Sequence, residues 1–124
     1  MSVQTDFQDE TLYCRLEGEI DHHTALSIRL HTDEKIEICR PKTLILDFSD
    51  VTFMDSSGIG LVMGRYKLLN ELGGELEVTG LSNNSYKVMR LAGLDRIAVI
   101  KKGGSKNGTG SIRYGRNKRF GSSN

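Results

Sequence analysis

Asp55, Ser56 and Ser57 stand in a row, followed by Gly58 and Gly60, within the stretch "FMDSSGIG" from Phe53 to Gly60. Upstream lies the apolar run "TLILDFSDV", and downstream "LVMGRYKLLNELGG" repeats with helical period. The trio therefore sits where a strand hands over to a helix. A helix start leaves several N–H groups unpaired and carries a partial positive charge, and one Asp or Ser side chain suffices to cap it. Three candidates are a surplus. One reading is a doubly secured cap, worth about 1 kcal/mol. The other leaves a hydroxyl over for chemistry, as nucleophile or phosphate acceptor, with Gly58 and Gly60 removing bulk so that another protein can approach the backbone.

The nucleophile option is weak, because "MDSSG" does not match G-x-S-x-G and spacing identifies no partner His. Nothing matches the phosphate loop G-x-x-x-x-G-K-[ST] either, and no metal-binding carboxylate pair is visible, so a nucleotide hydrolase is disfavoured and no cofactor is expected. Asp21, His22, His23 and His31 suggest a metal site only superficially. Adjacent histidines on one helix project about 100° apart and rarely chelate together. An acceptor serine is chemically coherent. Phosphate adds about −1.5 to −2 charges, which a helix N-terminus tolerates. A partner docked on the turn would instead meet a new anion, reinforced by Asp55 and Asp21. Each unit-charge pair near 4 Å costs roughly 1 kcal/mol in water and about 4 at an effective dielectric of 20. About 3–4 kcal/mol weakens binding several-hundredfold. One phosphate is enough for an off-switch.

The elements that must position this turn follow from periodicity. "TLYCRLEGEI" alternates, with Leu12, Cys14 and Leu16 on one side, and reads as a half-buried strand ended by Gly18. "VQTDFQ" is a candidate edge strand beside it. Asp21 can cap a helix in which Ala25, Ile28, Thr32, Ile36 and Cys39 form a stripe, ended at Pro41. Thr43 to Phe48 is nearly all apolar, as a strand covered on both faces would be. Ile59, Val62, Tyr66, Leu69 and Leu72 define the next helix, which Gly73 and Gly74 stop. "ELEVTG" reads as a strand, "SNNSYKVMRLAGL" as a capped helix and "RIAVIK" as a final short strand. The order β-β-α-β-α-β-α-β predicts an α/β fold with a mixed, mostly parallel sheet.

The chain of 124 residues suits one core. No apolar run approaches the roughly 20 residues that span a bilayer, and the N-terminus lacks signal-peptide blocks, so a cytoplasmic protein without a membrane partner is expected. Cys14 and Cys39 lie in apolar-patterned segments and read as buried free thiols. The formal charge of +1 conceals an asymmetry: residues 1–100 carry −6, whereas residues 101–124 carry +7 with no acid. Residues 1–101 form the predicted domain. Residues 102–124, rich in Gly, Ser and cations, read as a disordered, solubilising tail. Tyr114 and Phe120 among its cations suggest weak, salt-sensitive nucleic-acid contact, but no recognition fold surrounds them and no specific nucleic-acid partner is expected.

"GEIDHHTA" at Gly18–Ala25 and "FMDSSGIGLVMGRYK" at Phe53–Lys67, followed by "GGELEV" and "MRLAGLDRI", resemble the STAS-domain anti-sigma factor antagonists over roughly residues 3–100. The resemblance is closest to the stage II sporulation anti-anti-sigma factors. It implies a STAS fold and a non-enzymatic function. The unphosphorylated form would bind an anti-sigma factor that is also a serine kinase of the histidine-kinase-like ATPase type, releasing the sigma factor. The kinase would inactivate the antagonist by phosphorylation, and a PP2C-type phosphatase would restore it. The resemblance makes Ser57 the acceptor, a choice that chemistry alone leaves open between Ser56 and Ser57. It places Asp21 beside the acceptor, facing a basic residue of the partner, with Asp55, Ser56, Gly58, Ile59 and Gly60 on the same docking face. A STAS scaffold subunit of a stress-signalling or transporter complex is the alternative. The family normally closes with another amphipathic helix, and the basic segment stands in its place, which implies an undercovered face of the sheet.

Overall fold

The structure, a computed structural model, describes residues 2–103. The segment read above as a disordered tail lies, from Gly104 onward, outside the described residues. In chain order the elements are β1 (Ser2–Gln8), β2 (Thr11–Ile20), α1 (His22–Cys39), β3 (Thr43–Met54), α2 (Ser57–Glu71), β4 (Glu75–Leu81), α3 (Asn83–Leu91), a 3-10 turn (Leu94–Arg96) and β5 (Val99–Lys102). This is the order the periodicity predicts.

β1 and β2 pair antiparallel across the two-residue loop Asp9–Glu10, whose φ values of 52° and 64° are those of a hairpin turn matched to strand twist. Neither residue is the usual Gly or Asn. Tertiary contact holds the turn, because the Glu10 carbonyl accepts the N–H of Lys42 at 2.8 Å. β2, β3, β4 and β5 then run parallel in the spatial order β1-β2-β3-β4-β5. Every crossover steps the same way, so right-handed connections set all three helices on one face.

Burial follows that rule. Leu12, Cys14 and Leu16 of β2, Leu44, Leu46 and Phe48 of β3, and Leu76 and Val78 of β4 share a core with Ile28, Ile36, Leu61, Val62, Leu69 and Met89 of the helices. The alternate residues, among them Tyr13, Arg15, Ile45 and Glu77, form the opposite face, over which no described helix lies. The expectation that β3 is covered on both faces is therefore corrected: its apolar run reflects the buried Leu44, Leu46 and Phe48, with Ile45 half-buried on the other side.

Further boundaries differ from the sequence reading: the strand read in "RIAVIK" starts only at Val99, after the 3-10 turn that takes Arg96, and runs to Lys102. Gly18 does not end β2, which continues to Ile20. Its φ of 110° absorbs a register irregularity against β3, a conformation open to glycine. β3 likewise runs on to Met54. Cys14 is fully buried, and burial pushes its thiol up to about 12, while Cys39 is half-buried; both are free. No helix among the described residues is long and apolar enough to cross a membrane.

α1 keeps its predicted inner stripe of Ile28, Thr32 and Ile36. α2 does not. Its buried residues are Gly58, Leu61, Val62, Arg65 and Leu69, whereas Ile59 and Tyr66 are half-buried and Leu72 is exposed. A stripe drawn through apolar residues alone misses Arg65, which is only 3 % exposed. Its Nη1 donates to Thr32 Oγ1 at 3.1 Å and pairs with Asp33, tying α2 to α1, while its Nε has no hydrogen-bond partner among the described residues. Arg65→Ala, which opens a cavity and removes the tie, is expected to cost about 3 kcal/mol in urea unfolding, whereas Arg65→Met should stay within about 1 kcal/mol of wild type because an apolar replacement escapes the desolvation cost.

Candidate functional site

The parallel strands β2 and β3 end together, with Ile20 in register with Met54. The Asp55 N–H then donates to the Ile20 carbonyl at 3.1 Å, so the turn after β3 hangs from the end of β2. Two helix starts are thereby placed side by side at the carboxyl ends of the strands, where α/β sheets commonly accept ligands. Asp21 opens α1; Asp55, Ser56 and Ser57 open α2.

Asp21 caps α1 as predicted. Its Oδ1 accepts the Thr24 N–H at 3.0 Å, and the Thr24 hydroxyl accepts the Asp21 N–H at 2.8 Å, a reciprocal capping box. The backbone N–H of Thr24, with a smaller contribution from its hydroxyl, holds the Asp21 carboxyl below its ordinary value of 3.8. Thr24 is a residue the sequence reading passed over. The T in "DHHTA", three positions after the cap, is the signal that finds it.

The second start divides its labour. Asp55 Oδ1 accepts the Ser57 N–H at 2.8 Å, while the Asp55 carbonyl accepts that of Gly58 at 3.0 Å. Ser56 occupies the cap position in helical backbone, and its side chain makes no capping hydrogen bond. Its carbonyl takes the N–H groups of Ile59 and Gly60. Ser57 is half-buried, and its hydroxyl makes no hydrogen bond among the described residues. Asp55, one residue before the cap position, supplies the side-chain hydrogen bond at this helix start, and both hydroxyls are spare among the described residues.

The two glycines part company. Gly58 is buried, and a Cβ there would collide with Met54 Cγ, so its bareness admits Met54. Gly60 is exposed, with nothing within 4 Å of a Cβ. Its bareness answers no internal need. Ile59 is half-buried against the core, and Phe53, which the sequence reading did not single out, is 53 % exposed just before the turn. His22 and His23 are exposed with their rings edge to face, and no group of three His, Cys, Asp or Glu among the described residues is disposed to hold a metal ion.

Three outcomes follow. Asp55→Ala should lower stability by about 1 kcal/mol, and Ser56→Ala by a few tenths. Gly60→Ala should raise it by about 0.5–1 kcal/mol, since helix interiors favour alanine and the space is open. Both comparisons are read by denaturant unfolding. Because folding lowers the pKa of Asp21, its contribution is present above the ordinary carboxyl value and fades as pH falls through the lowered one; the stability difference between wild type and Asp21→Asn should shrink correspondingly in acid.

A family model of the STAS domain matches residues 2–103. The anti-sigma F factor antagonist of Paenibacillus polymyxa is 35 % identical over 100 residues, covering 81 % of this chain and 86 % of that one. The solved structure of the anti-sigma factor antagonist SpoIIAA in its unphosphorylated form superposes with a TM-score of 0.70 at 32 % identity, over 86 % of this chain and 90 % of that one. Phosphorylated SpoIIAA, a Bacillus cell fate determinant, superposes with a TM-score of 0.66 at the same identity, over 86 % and 94 %. Such relatives are regulatory binding proteins and not enzymes. With the fold, the paired helix starts and these likenesses in agreement, the chain belongs to the STAS-domain family, among its anti-sigma factor antagonists.

Proposed function

We propose that the unphosphorylated chain binds, in the cytoplasm, an anti-sigma factor that is also a serine kinase of the histidine-kinase-like ATPase type, and so releases a sigma factor for sporulation transcription. Phosphorylation of Ser57 switches the chain off, and a PP2C-type phosphatase restores it. The observation that carries this reading is the division of labour at α2: Asp55 supplies the side-chain hydrogen bond, leaving the Ser57 hydroxyl uncommitted. The relative SpoIIAA exists in both phosphorylated and unphosphorylated forms, which supports a reversible modification. No separate observation favours a scaffold role in a stress-signalling or transporter complex.

The physical consequences of the phosphate are asymmetric. Within the chain it would sit at the N-terminus of α2, where N–H groups and the helix dipole favour negative charge. On the partner's side it would add to the anionic groups Asp21 and Asp55 and to the bulk of the turn. A cation of the kinase that pairs with Asp21 favours docking before transfer. The transfer itself moves the γ-phosphoryl group of ATP to Ser57 Oγ, releasing ADP and the hydroxyl proton. Gly60, exposed and without a packing duty, lets the partner's surface lie against the first turn of α2.

Incubation with such a kinase and ATP, read by peptide mass spectrometry, should label Ser57, and Ser57→Ala should abolish the label while Ser56→Ala retains it. Unchanged labelling of Ser57→Ala would overturn the assignment. Ser57→Asp should weaken binding to the kinase several-hundredfold, a difference of about 3–4 kcal/mol. Gly60→Ala should bind more weakly although its fold is the more stable.

A further inference from the structure

We propose that the open face of the sheet is the docking surface for this chain's own basic segment, residues 104–124. The strand register arranges that face in rows. Asp6, Tyr13, Ile45, Glu77 and Val99 form one row across all five strands. Arg15 and Asp47 share a neighbouring row, and Glu17 pairs with Asp50 beyond it. Glu75 stands at the other end of β4, beside Thr43.

The charge on this face is one-sided. It holds the carboxylates of Asp6, Glu17, Asp47, Asp50, Glu75 and Glu77 against the cations Arg15 and Lys101. Asp47 is committed internally, accepting from the Tyr13 hydroxyl and from Ser49 Oγ at 2.6 Å. Arg15 pairs with Asp50 at 2.6 Å and Lys101 with Glu77 at 3.2 Å. Asp6, Glu17 and Glu75 have no ion pair among the described residues. Half-buried Tyr13 and Ile45 lie side by side between them, and Val99, 53 % exposed, ends the row. The helical layer has no such bias, since Arg29, Lys35, Lys67, Lys87 and Arg90 are interspersed with its acids.

The occupant matches in charge and in reach. Residues 104–124 carry Lys106, Arg113, Arg116, Lys118 and Arg119 with no acid, and their larger apolar groups are Ile112, Tyr114 and Phe120. The segment leaves from β5, the sheet edge, where the Gly103 N–H donates to the Leu81 carbonyl at 2.7 Å. Twenty-one residues reach at most about 70 Å, whereas four strand spacings amount to about 19 Å. Tethering supplies an effective concentration on the order of millimolar, so even a weak, screened contact is populated. The segment's charge is thereby neutralised by the body of the same molecule, in place of the solvated tail that its composition suggests.

Zero-length carbodiimide cross-linking of the full chain at low salt, as an equal mixture of unlabelled and nitrogen-15-labelled protein, tests this by peptide mass spectrometry. The Lys101–Glu77 and Lys42–Glu10 pairs, each 3.2 Å apart, serve as internal controls. Lys106 or Lys118 should join Asp6, Glu17 or Glu75 of the same molecule, and these links should fall at least about fivefold at 1 M salt, where the screening length is about 3 Å. Asp6→Lys with Glu17→Lys should remove most of them and leave the controls, whereas Glu71→Lys on the helical side should not. The proposal is overturned by links that reach Glu34, Glu37 or Glu71 as often, by links only between molecules, or by controls that form without any link from Lys106 or Lys118. An oligonucleotide that binds at 150 mM salt and erases the links would assign the segment to nucleic acid and overturn it equally.

Discussion

The parallel pairing of β2 with β3 is the constraint on which the rest of the molecule depends. It carries the chain from Thr11–Thr43 to Ile20–Met54 and finishes with the Asp55 N–H on the Ile20 carbonyl. Residues 34 positions apart in the chain, Asp21 and Asp55, are neighbours only because these strands end at the same level. A one-residue slip would exchange core and solvent faces along β2 and separate the two helix starts. The buried series Leu12, Cys14, Leu16 against Leu44, Leu46, Phe48 forbids that slip. Hydrophobic packing thus fixes the geometry of a polar surface several residues away.

At that surface, a single carboxylate settles which groups are structural and which are spare. Were Ser56 or Ser57 needed to satisfy the first N–H groups of α2, neither hydroxyl would be available without loss of helix stability. Asp55 removes that conflict by accepting the Ser57 N–H itself. The neighbouring glycines show the same separation, with Gly58 making room for Met54 inside and Gly60 leaving the outside clear. The hydrogen bond that secures the helix start therefore leaves the adjacent hydroxyls uncommitted.

The one-directional strand order has a second consequence. Right-handed crossovers that always step towards β5 give one covered face and one open face. The covered face is apolar apart from the Arg65–Thr32–Asp33 link between α1 and α2. The open face is stabilised by polar pairs across strands, Tyr13 with Asp47, Arg15 with Asp50 and Lys101 with Glu77. Gly80 belongs to this arrangement: its φ of 75° and the approach of Ser49 N to 2.6 Å of a Cβ leave room for nothing larger beside Asp47.

Element types, their order and the cap at Asp21 were legible in the sequence because each rests on local periodicity or local hydrogen bonding. The resemblance carried by "DHHTA" and "DSSG" likewise needed no coordinates. Other features could not be read that way. The buried stripe of α2 includes Arg65, whose place is decided by Thr32 and Asp33 on another helix, and a hydrophobic period is blind to it. β2 runs through Gly18 because its pairing with β3 outweighs a local stop signal. Spacing alone offered Asp55, Ser56 and Ser57 as equal caps, and the choice of Asp55 is a matter of side-chain geometry at the strand end. Sequence by itself determined what was locally encoded: the strands, the helices and the chemical identity of the turn. Tertiary structure alone decided that Arg65 is buried and which face of the sheet is open, because those depend on partners that only folding brings within reach.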